Sequence, residues 1–457
     1  MACNDVSKSR DDFASLYQPP ISLVQNPMNI LNRWCAVLGL SLAAQCAVPQ
    51  ALAQAPIPEP VQATGKEAAK PAAQHTRQPR PQLATGAAIA PDGRLWVVGL
   101  NAQAQLFVQS TPLGGAVQWS EARILNTGTD AMAADGESRP KIAFGPQGWA
   151  VISYTMPLAK PYTGFIRMLR SSDGGQTFSA PFTVHHDRQE ITHRFESIAF
   201  DAQGVLHTLW VDKRDQPPKG SAKKYAGAAI YRNESPDGGA TFGPDTKVAD
   251  HSCECCRIGL ARNPQGQLQA TWRHVFDSST RDHAFASVGA PANRITRSTH
   301  DNWQINACPH HGPGLALNAG TASAGAVQAG SVQAGYHTVW FGIRQVNGQD
   351  QSAVRYARLN GQGEPLPDTV RAVPDARAEH ADVLADGPNV AVVWRSSEGA
   401  VTTLKAWLSN DGGQNFTLKT LGQTAGYNDH PRLAQSGTRR VVVWRNPQET
   451  QVHDLRF

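Results

Sequence analysis

An eight-residue motif occurs three times in this chain of 457 residues, at 171–178, 235–242 and 409–416. Each copy has a serine, an aspartate two residues later, two glycines, a threonine or asparagine, and a final phenylalanine. The aspartate can accept hydrogen bonds from the backbone of its own turn, and glycine adopts the positive φ angles that tight turns need. The motif therefore predicts a tight turn between two β-strands, repeated along the chain with an aromatic ring packed on a neighbouring sheet.

A second pattern has nearly the same period as the motif. A strand of small apolar residues, a turn and a strand ending in an aromatic residue recur about every 45–65 residues, first at 86–99 and last at 432–444. This spacing leaves room for four strands per copy, which is typical of a β-propeller. We predict an all-β propeller of four-stranded antiparallel blades, six or seven in number. The copies favour seven, with a short last unit at 432–457 and closure by N-terminal residues.

The turn motif matches the Asp box of the sialidase (BNR-repeat) superfamily, and the resemblance covers nearly all of residues 82–457. In that family three arginines clamp the substrate carboxylate, a tyrosine–glutamate pair supplies the nucleophile and an aspartate is the acid/base, unlike the usual two-carboxylate scheme. The family's N-terminal [FY]-R-I-P motif is absent here, and its nearest equivalent is 138–140. By position in the blades, the resemblance implies these candidate catalytic residues for a hydrolase: Arg139, Arg194, Arg257, Arg432, Glu196 and Tyr427.

The N-terminal region predicts export. Residues 28–53 contain one positive charge, an apolar stretch of about 14 residues and an Ala-Leu-Ala site, the pattern of a signal peptide. We expect cleavage after Ala53 and a periplasmic or secreted protein, with residues 1–27 an over-called N-terminal extension. Residues 54–81, rich in proline, alanine and glutamine, predict a disordered linker before the propeller domain at 82–457. No other apolar run approaches the ~18 residues of a membrane span.

Charge and motifs exclude some partners. The net charge is +5 and the pI is about 8.8, but the basic residues are scattered and no lysine/arginine run is interleaved with aromatics. We therefore expect no nucleic-acid partner and no bound nucleotide.

The propeller topology predicts where ligands bind. In each blade, the turn between the first and second strands and the turn between the third and fourth strands lie on the same face of the propeller. The crossovers between blades lie on the other face. Asp boxes join third and fourth strands, so the crossovers lie on the opposite face. Polar and ionisable residues concentrate there, in segments 137–140, 193–196, 251–257, 308–313, 379–382 and 429–432.

Four cysteines remain in the chain after the predicted cleavage site, all on crossovers that flank one blade. Cys253 and Cys256 have the C-x-x-C spacing with which two thiolates grip one ion, and Arg257 stands where a c-type haem site needs histidine. We therefore predict no haem. Sulfur and imidazole donors together suit Cu(I) or Zn(II). The candidate metal ligands are Cys253, Cys255, Cys256, Cys308, His310 and His311.

An exported protein with four cysteines can instead form two disulfides, one joining Cys308 to the 253–256 triplet and one within the triplet. The sequence thus leaves three functions open. The leading one is a sialidase-like propeller without sialidase activity that binds a metal ion, Cu or Zn, or a small ligand. The alternatives are an exo-sialidase-type glycoside hydrolase with a glycan substrate, and a disulfide-stapled scaffold for protein interactions.

Overall fold

The structure is a computed structural model, and it describes residues 82–134, 137–217, 221, 227–277, 279–290, 294–305, 309–318 and 334–457. The predicted N-terminal extension, signal peptide and linker, and the candidate ligand Cys308, lie outside the described residues. Within the described part, no helix has the length and apolar character needed to cross a membrane.

The strands form seven antiparallel sheets, one per blade, in which strands adjacent in sequence pair. Blade 1 contains β1 (Gly86–Ile89), β2 (Arg94–Leu100), β3 (Leu106–Pro112) and β4 (Arg123–Ile124). Blade 2 contains β5 (Lys141–Phe144), the 3-10 helix Pro146–Gly148, β6 (Ala150–Pro157), β7 (Gly164–Ser171) and β8 (Phe182–Thr183). Blade 3 contains β9 (His193–Phe200), β10 (Leu206–Asp212), β11 (Ala228–Ser235) and β12 (Thr246–Ser252).

The same order continues through the C-terminal half. Blade 4 contains β13 (Gly259–Arg262), β14 (Leu268–Arg273), β15 (His283–Ser287) and β16 (Thr296–Arg297). Blade 5 contains β17 (Gly314–Asn318), β18 (Gly335–Val346), β19 (Gln349–Leu359) and β20 (Arg371–Ala372). Blade 6 contains β21 (Ala378–Asp386), β22 (Asn389–Glu398), β23 (Val401–Ser409) and β24 (Thr417–Ala425), and blade 7 contains β25 (Arg432–Ser436), β26 (Arg439–Arg445) and β27 (Thr450–Asp454).

The protein is therefore a seven-bladed β-propeller, as the repeat count favoured. The innermost strand β1 packs between β25 of blade 7 and β5 of blade 2, which closes the ring. The expected closure by N-terminal residues takes a different form in the described part of the chain. There, blade 7 has three strands, all from the C-terminal end, and the first described strand pairs within blade 1.

The Asp boxes form the predicted turns after the third strands of blades 2, 3 and 6. In blade 2, Asp173 accepts hydrogen bonds from the backbone and hydroxyl of Thr177 at 2.9 and 2.6 Å, and Ser171 Oγ accepts one from Gly175 N at 2.9 Å. Both glycines of the turn have positive φ. The other two boxes repeat these contacts, and in blade 6 the Asn415 side chain replaces threonine as a donor.

Aromatic residues pack the blades against each other. Phe416 of the blade 6 Asp box stacks on Trp407 and meets the edge of Tyr356 in blade 5. The aromatic residues near the ends of the second strands, among them Trp394 and Trp444, are almost fully buried. Each buried ring removes a large apolar area from water, so the contacts between blades form the core of the ring.

A buried carboxylate links the two ends of the ring. Asp429, in the crossover before blade 7, accepts a hydrogen bond from Thr85 N at 2.7 Å and forms an ion pair with Arg139. Thr85 precedes blade 1 and Arg139 precedes blade 2, and both partners of the ion pair are at least 95% buried. Asp429 thus joins three successive units at the closure.

Candidate functional site

The crossovers bring the candidate residues to one face, here called the crossover face. Each crossover runs from the outermost strand of one blade to the innermost strand of the next, so its last residues reach the central channel. Two groups form there. One is a cluster of three cysteine sulfurs, and the other is a charged cavity on the propeller axis.

The cysteine cluster consists of Cys253, Cys255 and Cys256, in the crossover between β12 and β13. The Sγ atoms of Cys253 and Cys255 are 3.6 Å apart, as are those of Cys255 and Cys256, and all three lie within 4.8 Å of one another. A disulfide bond is about 2.05 Å long, so these separations are not disulfides. Sulfurs sharing one tetrahedral ion at about 2.3 Å stand about 3.8 Å apart. The cluster therefore has the spacing of a metal-binding set.

The cluster is buried, with each cysteine at most 3% exposed. Hydrogen bonding to Cys253 and burial raise the pKa of Cys256, while Cys255 and the Arg273 guanidinium act in the opposite direction. Arg273 is 1% exposed and donates to the carbonyl oxygens of His311 and Phe341. A fixed buried cation therefore lies close enough to offset part of the negative charge that thiolates would bring.

A cavity of about 240 Å³, here called the thiol pocket, opens beside the cluster. Cys255 is the one cysteine of the cluster in its lining, and the exposed His310 lies there too. Lys213 and Glu254, also in the lining, form an ion pair. The pocket is defined by its lining residues Cys255, His310, Arg194, Phe195, Lys213 and Glu254.

The axial cavity of about 250 Å³ is rich in charged side chains. Arg257 anchors it, donating from Nε to Pro313 O at 3.1 Å and from Nη2 to Ala381 O at 2.6 Å. Arg432 donates from Nε to Thr85 O and forms no ion pair with the described residues. Burial, together with the charges of Arg257 and Arg139, lowers the pKa of Arg432 to about 10. The lining groups that carry charge are Arg139, Lys141, Arg257, Arg432, Glu137 and Asp382.

Three imidazoles stack beside Glu137, which lines this cavity. The rings of His311 and His380 are 4.4 Å apart and those of His380 and His430 are 3.4 Å apart, nearly parallel in both cases. Burial lowers the pKa of all three, and burial together with the neighbouring His380 lowers that of His311 to about 3. Burial therefore favours the neutral form of all three imidazoles.

Glu137 completes a second group with metal-binding spacing. Its Oε1 lies 3.2 Å from His380 Nδ1 and 3.7 Å from His430 Nδ1, and its Oε2 lies 3.4 Å from Arg257 Nη1. Burial would raise the pKa of Glu137, but Arg257 and His380 lower it well below the ordinary value. The donors fit an ion, yet the guanidinium of Arg257 already compensates the carboxylate. The cysteine cluster is therefore the better cation site of the two.

The structure does not bring all the residues predicted for a hydrolase together. Arg139, Arg257 and Arg432 line the axial cavity, whereas Arg194 lines the thiol pocket. Glu196 is fully buried and hydrogen-bonds to Lys141, Ser153 and Thr155. The hydroxyl of Tyr427 donates instead to Gln82 Oε1, 3.4 Å away. Three arginines thus meet, while the tyrosine and glutamate have different partners.

The predicted metal ligands are also partly grouped. The three clustered cysteines meet, and His310 shares the thiol pocket with Cys255, but His311 belongs to the histidine stack. Sequence reasoning placed Glu137, His380 and His430 on the crossover face without assigning them to a site. Glu137 and His430 lie on crossovers, and His380 lies near the start of β21. All three are therefore close to the entry into a blade, and comparing this position across the blades is the signal that finds them.

The described strands define the protein as a seven-bladed β-propeller with a charged axial cavity. No protein-family model and no curated protein matches the chain. Among solved structures, an ulvan lyase of polysaccharide lyase family PL25, bound to a GlcA–Rha3S unit, is 13% identical with a TM-score of 0.48, covering 82% of this chain and 93% of its own. An α-L-arabinanase from Penicillium chrysogenum, complexed with arabinobiose, is 12% identical with a TM-score of 0.44 over 82% and 93%.

The microbial sialidase Hz136 is 12% identical with a TM-score of 0.43, and the match covers 79% of this chain and 73% of the sialidase. At this level of identity and TM-score the matches are distant.

Proposed function

We propose that this protein binds one soft metal ion, Cu(I) or Zn(II), through the thiolates of Cys253, Cys255 and Cys256. The observation that carries this proposal is the convergence of three buried sulfurs within 4.8 Å of one another. Thiolates select Cu(I) and Zn(II) over harder ions such as Mg²⁺ or Ca²⁺.

The number of sulfur donors, three, favours Cu(I) over Zn(II). Cu(I) is satisfied by two or three sulfur ligands, whereas structural zinc is almost always four-coordinate. A zinc ion would need a fourth donor, and His310, which lines the thiol pocket together with Cys255, is a candidate. Burial of the sulfurs would shield a bound Cu(I) ion from water and oxidants, and Arg273 would offset part of the negative charge of the complex.

Metal titration tests the proposal. The purified, reduced protein is titrated with Cu(I) against a chromophoric Cu(I) chelator, and separately with Zn(II), and bound metal is measured by elemental analysis. We expect one equivalent of Cu(I) and its loss in a Cys253→Ser/Cys256→Ser variant. Thr271→Ser, a conservative change at a buried position in β14 of the adjacent blade 4, is the matched control. Wild-type protein that binds neither ion would overturn the proposal.

We also propose that the protein works outside the cytoplasm, on the strength of the signal-peptide pattern at 28–53. Mass spectrometry of the protein from cell fractions is the test. The expected result is a mature chain that begins at Gln54, recovered from the periplasm or medium. An unprocessed chain in the cytoplasm would contradict it.

A second candidate function is binding or hydrolysis of an acidic glycan in the axial cavity. It is favoured by Arg139, Arg257 and Arg432, which line one cavity and suit a carboxylate. Turnover of a fluorogenic sialoside that is lost in Arg432→Ala would support it. The absence of turnover and of sialic acid binding by calorimetry would refute it without affecting the metal proposal.

A further inference from the structure

Three residues in the lining of the thiol pocket have a strained backbone. Tyr162, Phe195 and His310 have positive φ angles, of 63°, 56° and 54°. Among the described residues, 12 other than glycine have such angles, so three of them in a lining of eight residues is a marked concentration. Residues with side chains keep this conformation only where the surrounding structure holds them, and they cluster at ligand-binding sites. The backbone of the pocket therefore indicates a binding site.

A β-bulge places Phe195 in the pocket wall. In the pairing of β10 with β9, Leu209 lies opposite Ser197, and two residues further on Val211 lies opposite Arg194. Two residues of β9, one of them Phe195, thus lie opposite a single residue of β10. Bulges of this kind change the direction of a side chain and are common beside binding sites. The Phe195 ring is 2% exposed, so it gives the pocket an apolar wall.

Tyr162 is an exposed aromatic residue in the same lining. It lies between β6 and β7 and is 77% exposed, the highest value among the large apolar residues described. Its carbonyl oxygen accepts a hydrogen bond from Thr192 Oγ1 at 2.8 Å, and Thr192 O accepts one from Lys213 N at 3.1 Å. The backbone is thus fixed by neighbouring segments while most of the ring remains in solvent. A ring held in this way is a ready contact surface for a ligand.

Lys213 and Glu254 supply polar groups to the pocket. Their side chains form an ion pair and are 21% and 35% exposed, so both are accessible to a ligand. An ammonium group has three donors and a carboxylate about four acceptor sites, so one shared contact leaves most of them free. A hydroxyl group both donates and accepts, and a ligand with several hydroxyls can therefore bind both side chains without separating them. A charged ligand would instead compete with the ion pair.

We propose that the thiol pocket binds one uncharged pyranose ring, with an apolar face of the sugar on Tyr162 and its hydroxyls on Lys213 and Glu254. A sugar ring has C–H groups on its faces and hydroxyls at its edge, which matches an aromatic ring beside an ion pair. The volume of about 240 Å³ is below that of sites that enclose drug-sized ligands, so it suits a single ring. This inference goes beyond the proposed metal binding and does not depend on it. It also concerns a site whose lining shares no residue with the axial cavity.

Saturation-transfer difference NMR on the purified, metal-free full chain tests this inference. The probes are the methyl pyranosides of glucose, galactose, mannose and xylose, and titration gives the Kd of each. We expect at least one of them to bind. Its affinity should fall about tenfold or more in Tyr162→Gly and change by less than about threefold in Tyr162→Phe, which keeps the ring. Leu418→Ala, at an exposed apolar residue in β24 of blade 6, is the matched control.

Tyr162→Gly also separates a binding role of the ring from a structural one. Glycine adopts positive φ without strain, so this variant should have a Tm equal to or above that of the wild type. A clearly lower Tm would show that the ring stabilises the fold and would overturn the inference. Wild-type protein that binds none of the four glycosides, even if it binds p-cresol or sialic acid, would also overturn it. So would glycoside binding that Tyr162→Gly does not weaken.

Discussion

The buried contacts of Asp429 at the ring closure predict a large loss of stability when this residue is replaced. Asp429 holds Thr85 N at 2.7 Å and pairs with Arg139, and both charged residues are at least 95% buried. Replacing Asp429 with alanine leaves the buried Arg139 charge uncompensated, a change that typically costs about 3–5 kcal/mol. The Thr85 N–H also loses its acceptor, at a further cost of about 1 kcal/mol or more. We therefore expect Asp429→Ala to lower the free energy of unfolding by about 4 kcal/mol or more.

Urea denaturation followed by tryptophan fluorescence measures this loss, and a second variant identifies its cause. If the uncompensated guanidinium is the main cost, the Arg139→Met/Asp429→Ala double variant should be more stable than Asp429→Ala alone. A loss below about 1 kcal/mol in Asp429→Ala, or a double variant that is less stable than the single one, would refute this account of the closure.

The same carboxylate predicts a pH dependence. Burial favours the neutral form of Asp429, but Arg139 and the hydrogen bonds from Thr85 outweigh burial and lower its pKa below the ordinary value. A lowered folded pKa means that this stabilisation is complete above the unfolded pKa of about 3.9 and is lost as the pH falls through the folded pKa. Wild-type stability should therefore fall more steeply below about pH 4 than that of Asp429→Asn, and parallel curves would contradict the argument.

Two further predictions concern the Asp boxes. A Cβ at Gly413 would lie 1.9 Å from the Tyr356 hydroxyl, whereas one at Gly412 would meet nothing within 4 Å, and both residues have positive φ. Gly412→Ala should cost about 1 kcal/mol from backbone strain and Gly413→Ala at least about 2 kcal/mol, by urea denaturation; equal losses would refute the steric account. Asp237→Ala removes the acceptor for the backbone and hydroxyl of Thr241 and should cost about 1–3 kcal/mol, seen as a Tm lowered by a few degrees; an unchanged Tm would show that the turn is held by other contacts.

The fold could be predicted from the sequence because its signals are local. The hydrogen bonds of the serine and aspartate side chains of the Asp box join residues at most four positions apart, such as Asp173 and Thr177, so the turn is specified within eight residues. The repeats then give the phase and number of blades. The prediction of a propeller was confirmed, with seven blades. The contacts that close the propeller ring could not be predicted, because Asp429 and Thr85 are 344 residues apart and share no recognisable sequence pattern.

The candidate site also has a part that could be predicted from the sequence and a part that could not. The grouping of Cys253, Cys255 and Cys256 follows from their closeness in sequence, and the structure brings the three sulfurs together. The contact between Glu137 and His380 joins residues 243 positions apart, and it depends on the ring bringing the crossovers into blades 2 and 6 to one axis. Long-range grouping of this kind needs the three-dimensional fold, and no single crossover contains the information.

The cysteine cluster comes from a single stretch of four residues, so metal binding by these cysteines does not depend on the rest of the fold. A chelating segment so short closes only small loops, so it can capture a metal ion while the rest of the chain is still unfolded. Metal that binds both the unfolded and the folded chain adds little to the free energy of folding. If the proposed metal binding is correct, this protein, unlike a zinc finger, would fold with or without the ion, and the unfolded chain could bind the metal before the blades assemble.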